Sequence, residues 1–197
     1  MEIQRITLGM HQANCYIVTT TKDVMIIDPG ARPERIKTYL SQTTKVTAIL
    51  LTHGHFDHFG AVDDLAKTYA CPVYLHASDE ELLVDEMNRS AGKLITVTTP
   101  LTYLQEGPLV VGHTALHIFE APGHTKGSVL IELEGHLFSG DVLFQGGVGR
   151  TDLCGGNERE MKRSLNRIKT MDKKLIVHPG HGDATTIEIE IRTNPFL

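Results

Sequence analysis

The sequence is poor in cysteine, with three in 197 residues and no CxxC pair. An odd number of unpaired cysteines argues against a disulfide framework and favours a reducing compartment. Cys15 and Cys71 lie beside strand-like segments, which indicates small buried apolar residues. Cys154 lies in a glycine-rich loop, and the sequence assigns it no role.

Runs of basic residues and long apolar runs are also missing. The formal net charge is -5 at pH 7, and Lys and Arg form no cluster of the kind that binds nucleic acid. No stretch approaches the roughly eighteen apolar residues of a membrane span, and the chain opens on "MEIQRITL" without a signal-like pattern. We therefore expect a soluble cytoplasmic protein that binds neither nucleic acid nor membrane.

The composition, with 41% hydrophobic and 22% charged residues, is that of a globular protein. A chain of this length can bury roughly 70% of the surface that it exposes when unfolded. It therefore needs neither disulfides nor a partner in order to fold, and we expect one domain over residues 1–197. The sequence does not indicate the oligomeric state.

Runs rich in β-forming residues alternate with helical patterns along both halves of the chain. The first half predicts strands at "NCYIVTT", "VMIIDPG", "VTAILLT" and "PVYLHA", and helices over Pro33 to Gln42 and Gly60 to Ala70. The second half predicts strands at "TALHIFEAP", "GSVLIELEG", "HLFSGD" and "KLIVHPG", and helices over Asn157 to Thr170 and Thr185 to Arg192. No flexible linker separates the halves, so the pattern predicts an α/β fold: a four-layer αββα sandwich with helices outside two packed sheets.

One further segment, Asp79 to Asn88, is acidic and has a helical pattern. Its charges are most simply those of a solvated face, so we expect this segment to lie on the surface.

The densest polar cluster is "THGHFDH", directly behind an apolar run. In an extended segment His53 and His55 project from the same side of the backbone, so one metal ion can bind both. Asp57 and His58 follow where the chain turns into the helix predicted from Gly60, which aims them at a second ion. Burying these groups unpaired would cost several kcal/mol, which disfavours a purely structural role.

Three further candidate ligands stand at predicted strand ends: His124, Asp141 and His181. Two catalytic zinc ions with three protein ligands each need six, and a carboxylate can bridge them, so the count of seven fits a two-metal site. His178 competes with His181, and spacing alone does not separate the two. The remaining histidines are interpreted as structural: His11, His76, His113, His117 and His136.

The ordered motifs "THGHFDH", "GHT", "GD" and "PGHG" resemble the metal motifs of the metallo-β-lactamase superfamily, and the resemblance covers the chain from about residue 10 onward. It implies two mixed β-sheets, and it favours His181 over His178. It implies His53, His55 and His124 on one metal, Asp57, His58 and His181 on the other, and Asp141 bridging. Within the superfamily, "GVGRTDLCGGN" and the ending "TTIEIEIRTNPFL" resemble the short glyoxalase II-like hydrolases.

This resemblance implies a thioesterase that cleaves S-lactoylglutathione or a related acyl thioester. Two divalent ions are expected, zinc first, with iron or manganese as alternatives, since imidazole and carboxylate ligands suit all three. Asp57 and Asp141 are the predicted catalytic carboxylates, Asp57 as an available proton donor and Asp141 as the bridge. Glyoxalase II proper continues into a C-terminal helical domain that contacts glutathione, whereas this sequence stops at Leu197.

Several alternatives stay open. A mono-iron persulfide dioxygenase resembles the chain around "GRTD" and would use His53, His124 and Asp141. A lactonase or other ester hydrolase and a non-catalytic metal-binding module are further readings. A flavodiiron protein is disfavoured because it carries glutamate at the position of His55, and a secreted β-lactamase is disfavoured by Asp141 and by the missing signal.

Two groups of residues near these motifs are each open to two interpretations. Arg150, Thr151 and Asp152 are expected either to orient ligands or substrate, or to form a surface turn with an ion pair. Lys126, beside His124, is read as a solvated lysine or as a contact for an anionic substrate.

Overall fold

Two six-stranded sheets form the centre of the fold, and the computed structural model describes residues 1–41, 44–86, 88–90 and 93–197. The strands of the first sheet are β1 (Glu2–Leu8), β2 (Ala13–Thr19), β3 (Val24–Ile27), β4 (Val46–Leu50), β5 (Val73–His76) and, after the short pair β6 (Arg89–Ser90) and β7 (Lys93–Leu94), β8 (Leu101–Leu104). Their order is β1-β2-β3-β4-β5-β8, antiparallel up to β3 and parallel from there to β8.

The second sheet is built from the second half of the chain. Its strands are β9 (Gly107–Val111), β10 (Thr114–Glu120), β11 (Val129–Leu133), β12 (His136–Gly140) and, after the short pair β13 (Leu143–Phe144) and β14 (Gly147–Val148), β15 (Ile176–Pro179) and β16 (Thr185–Thr186). The order is β16-β15-β12-β11-β10-β9, and only β12 and β15 pair in parallel among these strands. Both sheets are therefore mixed, as the sequence predicts.

The helices are α1 (Pro33–Lys37), α2 (Phe56–Phe59), α3 (Val62–Tyr69), a 3₁₀ helix (Ala77–Val84), α4 (Glu158–Ile168) and α5 (Ile187–Thr193). Among the described residues, none of the helices has the length and apolar character needed to span a bilayer.

Three buried clusters define the four layers. Between the sheets, Met25 and Leu50 of the first sheet pack with Ile118 and Phe138 of the second. Neighbouring residues on the same strands point the other way, since successive side chains alternate between faces. Thus Ile49 packs under α3 on one outer side. Leu137, Val177 and their neighbours pack against α4 and α5 on the other. The predicted αββα sandwich is confirmed.

Several predicted elements differ from the structure. Helix α1 ends at Lys37 rather than Gln42, which lies outside the described residues. The helix predicted over Gly60 to Ala70 is α3, and a separate one-turn helix that was not predicted, α2, precedes it. Asp57 and His58 therefore lie within a helical turn rather than before it. Strand β1 was not predicted, since this edge strand buries only Ile6 and Leu8.

The expectation that the charges of Asp79 to Asn88 form a solvated face is confirmed for the three glutamates of the segment, which are exposed. It is wrong for Asp79, which lies in the 3₁₀ helix and is buried together with Leu82 and Leu83. Leu83 packs in the same buried cluster as Ile49, so tertiary packing draws one side of this acidic segment into the interior.

A buried carboxylate joins the two sheets at the start of β3, away from the strand ends that lead to the histidines. Asp23 accepts hydrogen bonds from the Thr114 hydroxyl (2.6 Å), the His113 backbone N–H (2.9 Å) and the Thr47 hydroxyl (3.2 Å). Thr47 lies in β4 and Thr114 in β10, so this aspartate connects one strand of each sheet.

Candidate metal centre

All seven predicted ligands lie together where strands of both sheets end. His53 and His55 follow β4, and Asp57 and His58 lie in α2. The other three residues follow strands of the second sheet: His124 comes after β10, Asp141 after β12 and His181 after β15. The first sheet therefore supplies four of the seven side chains and the second sheet supplies three.

The first cluster consists of three imidazoles, His53, His55 and His124, whose ligand atoms all lie within 4.8 Å of one another. His55 Nδ1 is 2.8 Å from His124 Nε2, and the His53 and His55 rings are perpendicular with centroids 5.0 Å apart. His53 and His124 are buried. This arrangement brings three imidazole side chains close enough together to share one metal ion.

The second cluster consists of Asp57, His58 and His181, which also fall within 4.8 Å of one another. His181 Nε2 lies 3.4 Å from Asp57 Oδ2 and 3.4 Å from His58 Nε2. This cluster differs from the first because it contains a carboxylate.

Asp141 lies between the two clusters. Its Oδ2 is 3.5 Å from His124 Nε2 in the first cluster and 3.5 Å from His181 Nε2 in the second, while its Oδ1 is 3.4 Å from His58 Nε2. One carboxylate thus faces donors of both clusters, which is the position that a bridging ligand needs.

Four of the imidazoles are oriented by an acceptor behind the ring. The Thr52 hydroxyl donates to Asp28 Oδ2 (2.6 Å), so it accepts from His53 Nδ1 at 3.0 Å. His58 Nδ1 donates to Asp28 Oδ2 at 3.0 Å. His124 Nδ1 donates to the carbonyl of Arg150 (2.8 Å), and His181 Nδ1 to the carbonyl of His11 (3.0 Å). Each of these four rings therefore directs its Nε2 rather than its Nδ1 toward the centre, the arrangement that metal-binding histidines typically show.

Two buried atoms at the centre have no hydrogen-bond partner among the residues that the structure describes: His53 Nε2 and Asp141 Oδ1. Leaving such a buried acceptor unsatisfied costs about 1 to 3 kcal/mol. Both atoms face the clusters, and a metal cation would give each of them a partner. The donor set of imidazole and carboxylate groups therefore fits divalent metal ions.

The pKa values of the histidines divide between the clusters. Burial lowers the pKa of His53 well below its ordinary value, and burial together with the charge of His124 lowers the pKa of His55 to about 4. Burial also lowers the pKa of His58, but Asp141 and Asp57 outweigh it and raise it to about 9. The same two carboxylates overcome burial at His181 and raise its pKa to about 10. A cation entering the second cluster must therefore displace protons, whereas His53 and His55 of the first cluster already present neutral rings.

The centre opens into a cavity of about 420 Å³. Phe56, Leu82, Phe144 and Leu153 give it an apolar wall. Its polar lining, apart from proposed ligands, includes His11, Asp85, Asn88, Arg150 and Cys154.

The two competing histidines of the last motif are separated by the structure. His178 Nε2 lies 2.8 Å from His136 Nδ1, and its ring stacks on Phe138, so it belongs to a different group of residues. His181 faces the second cluster. Spacing could not distinguish them because His178 lies in the short strand β15 and His181 follows shortly after it.

The structure also shows where the residues with two interpretations lie. Arg150 and Asp152 form the expected surface ion pair (2.7 Å), and the Arg150 carbonyl additionally orients His124. Lys126 is exposed and is not among the residues that line the cavity. Cys154 is exposed at the cavity, while Cys15 and Cys71 are buried as expected.

The sequence did not predict the roles of Asp28 and Thr52, which orient His53 and His58. It predicted a structural role for His11, whereas His11 lines the cavity. The "DPG" that ends the second predicted strand was a usable signal for Asp28, since a carboxylate at the end of a buried strand requires partners. Nothing in the local sequence indicates His11.

Known proteins resemble this chain over nearly its whole length. A family model described as the metallo-β-lactamase superfamily matches residues 8–181. A probable metallo-hydrolase, YqgX, of Bacillus subtilis is 39% identical over 100% of this chain and 98% of its own length. The hydroxyacylglutathione hydrolase GloC of Haemophilus influenzae is 33% identical over 100% of this chain and 98% of its own length.

Solved structures show the same fold. The BLEG-1 B3 metallo-β-lactamase superposes with a TM-score of 0.93 at 41% identity, covering 100% of this chain and 99% of that one. TTHA1623, solved in a di-iron-bound form, gives 0.90 at 40% identity over 98% of this chain and 100% of that one. ETHE1 of Myxococcus xanthus gives 0.79 at 25% identity, with coverage of 99% and 84%.

The family model covers most of the chain, and full-length relatives exceed 30% identity. The chain therefore belongs to the metallo-β-lactamase superfamily.

Proposed function

We propose that this protein is a two-metal hydrolase that cleaves acyl thioesters. The observation that carries the proposal is the placement of Asp141 between two three-residue donor clusters at the floor of a cavity. Such a centre is more than a structural metal site needs, because structural sites are closed by their ligands and do not face a cavity.

The proposed ligands follow the two clusters. His53, His55 and His124 would hold one ion and Asp57, His58 and His181 the other, and Asp141, which faces both clusters, would contribute to both sites. Two bound divalent ions supply Lewis acidity that makes water nucleophilic near neutral pH and stabilises negative charge on a carbonyl oxygen. Zinc is the proposed metal. The di-iron form of TTHA1623 makes iron the main alternative.

The chain's own residues fix the donors and hold the substrate. The outer acceptors, Asp28, Thr52 and the carbonyls of His11 and Arg150, keep each Nε2 directed inward. The apolar wall formed by Phe56, Leu82, Phe144 and Leu153 excludes water and accommodates a carbon chain. Substrate entering from the cavity thus meets a pre-oriented centre.

A thioester suits this site because a thiol, with a pKa near 8.5, leaves as thiolate without a dedicated proton donor. An amide nitrogen must be protonated before it leaves. The name of the GloC relative supports a hydroxyacyl thioester such as S-lactoylglutathione. The unpaired cysteines are consistent with the cytoplasm as its location.

The test combines elemental analysis with hydrolysis assays on the purified protein. We expect two metal ions per chain and turnover of S-lactoylglutathione or another acyl thioester. His181→Gln should reduce turnover at least about tenfold, because an amide is a poor substitute for an imidazole ligand. His178→Gln, three residues earlier and away from the centre, is the matched control and should retain activity within about threefold.

Two competing activities are assayed with the same purified protein. Hydrolysis of a β-lactam is a second candidate because the BLEG-1 β-lactamase is 41% identical. Oxygen uptake with glutathione persulfide tests the dioxygenase reading, for which His181 would be dispensable. Faster turnover of either substrate than of any thioester would overturn the proposal.

A further inference from the structure

Asp79 is a buried carboxylate that joins the two loops carrying the first cluster. It is the third residue of the 3₁₀ helix, and its relative exposure is 0%. Its Oδ2 accepts the Gly54 backbone N–H (2.9 Å) and the Thr125 hydroxyl (2.6 Å), and its Oδ1 accepts the Gly127 backbone N–H (2.6 Å). Gly54 lies between His53 and His55, and Thr125 follows His124.

The contact is too close to admit larger residues on either loop. A Cβ at Gly54 would lie 2.9 Å from the Asp79 carbonyl oxygen, and a Cβ at Gly127 would lie 2.8 Å from the Asp79 Cγ. Both distances are shorter than van der Waals contact. The two glycines therefore allow the loops to close on this one side chain.

The distance between these loops sets the geometry of the first cluster. His55 and His124 come from different loops, yet His55 Nδ1 and His124 Nε2 are 2.8 Å apart. Asp79 holds each loop one residue from one of these histidines. The helix that carries Asp79 also supplies Leu82 to the cavity wall, so the same element contacts both the cluster and the substrate space.

We propose that Asp79 is a positioning residue for the first cluster: its carboxylate fixes the separation of the two loops and thereby the affinity of His53, His55 and His124 for metal. The inference rests on the proposed metal centre but not on the identity of the substrate. No contact between Asp79 and substrate is required.

Asp23 provides a matched control. It is also buried and also accepts three hydrogen bonds from both sheets, but it does so at the start of β3. Asp79→Asn and Asp23→Asn should both lower thermal stability, since each leaves buried donors without a charged acceptor. Only Asp79→Asn should change metal binding.

The experiment is a Zn²⁺ titration of the metal-free protein against a chromophoric chelator. In a His58→Gln background, which lacks a donor of the second cluster, the remaining tight step belongs to the first cluster. We expect Asp79→Asn to weaken this step about 10- to 100-fold and Asp23→Asn to change it less than about threefold. An unchanged step in Asp79→Asn, or an equal loss in Asp23→Asn, would overturn the inference.

A milder pair of variants covers the case in which Asp79→Asn does not fold. Thr125→Val removes one donor to Asp79, and Thr114→Val removes the equivalent donor to Asp23. Thr125→Val should weaken the same step about three- to tenfold, and Thr114→Val should not; equal effects would contradict the role of Asp79. Wild-type protein that binds Zn²⁺ but cleaves no thioester would refute the proposed function and leave this inference standing.

Discussion

Asp28 shows how one side chain can set the chemistry of several others. Its Oδ2 accepts from the Thr52 hydroxyl and from His58 Nδ1, and Thr52 in turn accepts from His53 Nδ1. Two imidazoles, one in each cluster, therefore owe their orientation to a single carboxylate. Asp28, His53 and His58 also form a third close group of donors. Asp28 belongs behind the ligands, because its Oδ2 is already occupied by two donors.

His178 should make the stability of the fold depend on pH, even when no metal is bound. Burial, with smaller contributions from His136 and Arg5, lowers its pKa to about 4 from an ordinary value of 6.5. The unfolded chain therefore binds more protons than the folded chain between pH 6.5 and 4. The stability linked to this residue is complete above about pH 6.5 and is lost as the pH falls toward 4.

We expect His178→Gln to remove this loss in metal-free protein. Between pH 7 and pH 4 the free energy of unfolding should fall in both proteins, because other groups also titrate. The fall should be about 1 to 2 kcal/mol smaller in the variant than in wild type, after allowance for solvent screening. Urea unfolding at several pH values measures it. Parallel curves for the two proteins would show that His178 is not responsible.

The proposed ligands were accessible from sequence, whereas the residues that support them were not. The density of "THGHFDH" and the ordered motifs after it identify seven residues that the structure brings together. Asp28 and Asp79 are single acidic residues with no characteristic spacing. Their burial depends on contacts with residues about 25 to 50 positions away, which no local pattern reveals.

Helix α4 illustrates an element whose ends follow from its sequence. Asn157 precedes it in an extended conformation, and its side chain accepts the Glu160 backbone N–H at 3.1 Å. Met161, Leu165 and Ile168 recur at helical spacing and pack on the second sheet. The predicted range, Asn157 to Thr170, therefore differs from the observed helix by one or two residues at each end.

The capping bond at Asn157 can be tested directly. Asn157→Ala should lower the free energy of unfolding by about 1 kcal/mol, because the first turn loses its side-chain acceptor. Asn157→Ser retains an acceptor and should change it by no more than a few tenths of a kcal/mol. Denaturant titration compares the two, and equal destabilisation would show that the cap is not the cause.

Helix α2 was harder to predict because it is only one turn long. Its residues, Phe56–Phe59, include two proposed ligands, and it is separated from α3 by Gly60 and Ala61. The helical pattern of Gly60 to Ala70 is carried by α3 alone. The short turn forms where the chain leaves the first sheet, so tertiary contacts rather than propensity determine it.

The two sheets meet in one apolar layer, but at the metal centre they meet through polar loops. Donors from both sheets approach each other there without a covalent link. Bound metal should therefore stabilise the sandwich as a whole, because ions that bind only the folded state shift the unfolding equilibrium.

Removal of the metal should lower the melting temperature by about 5 to 10 °C. This follows from a stabilisation of about 2.7 kcal/mol at a hundredfold excess over the dissociation constant, at roughly 2 to 4 °C per kcal/mol for a chain of this size. Calorimetry before and after chelation measures the change, and added Zn²⁺ should restore it. An unchanged melting temperature would mean that no ion links the sheets.

The division of donors between the sheets also has a consequence for biosynthesis. His53, His55, Asp57 and His58 are translated first, His124 and Asp141 come later, and His181 comes last. A nascent chain therefore lacks a member of the first cluster until His124 has been made, and a member of the second cluster until His181 has been made. We expect metal loading to follow translation, so that scarcity of the ion in the cell would delay activation of finished chains rather than their synthesis.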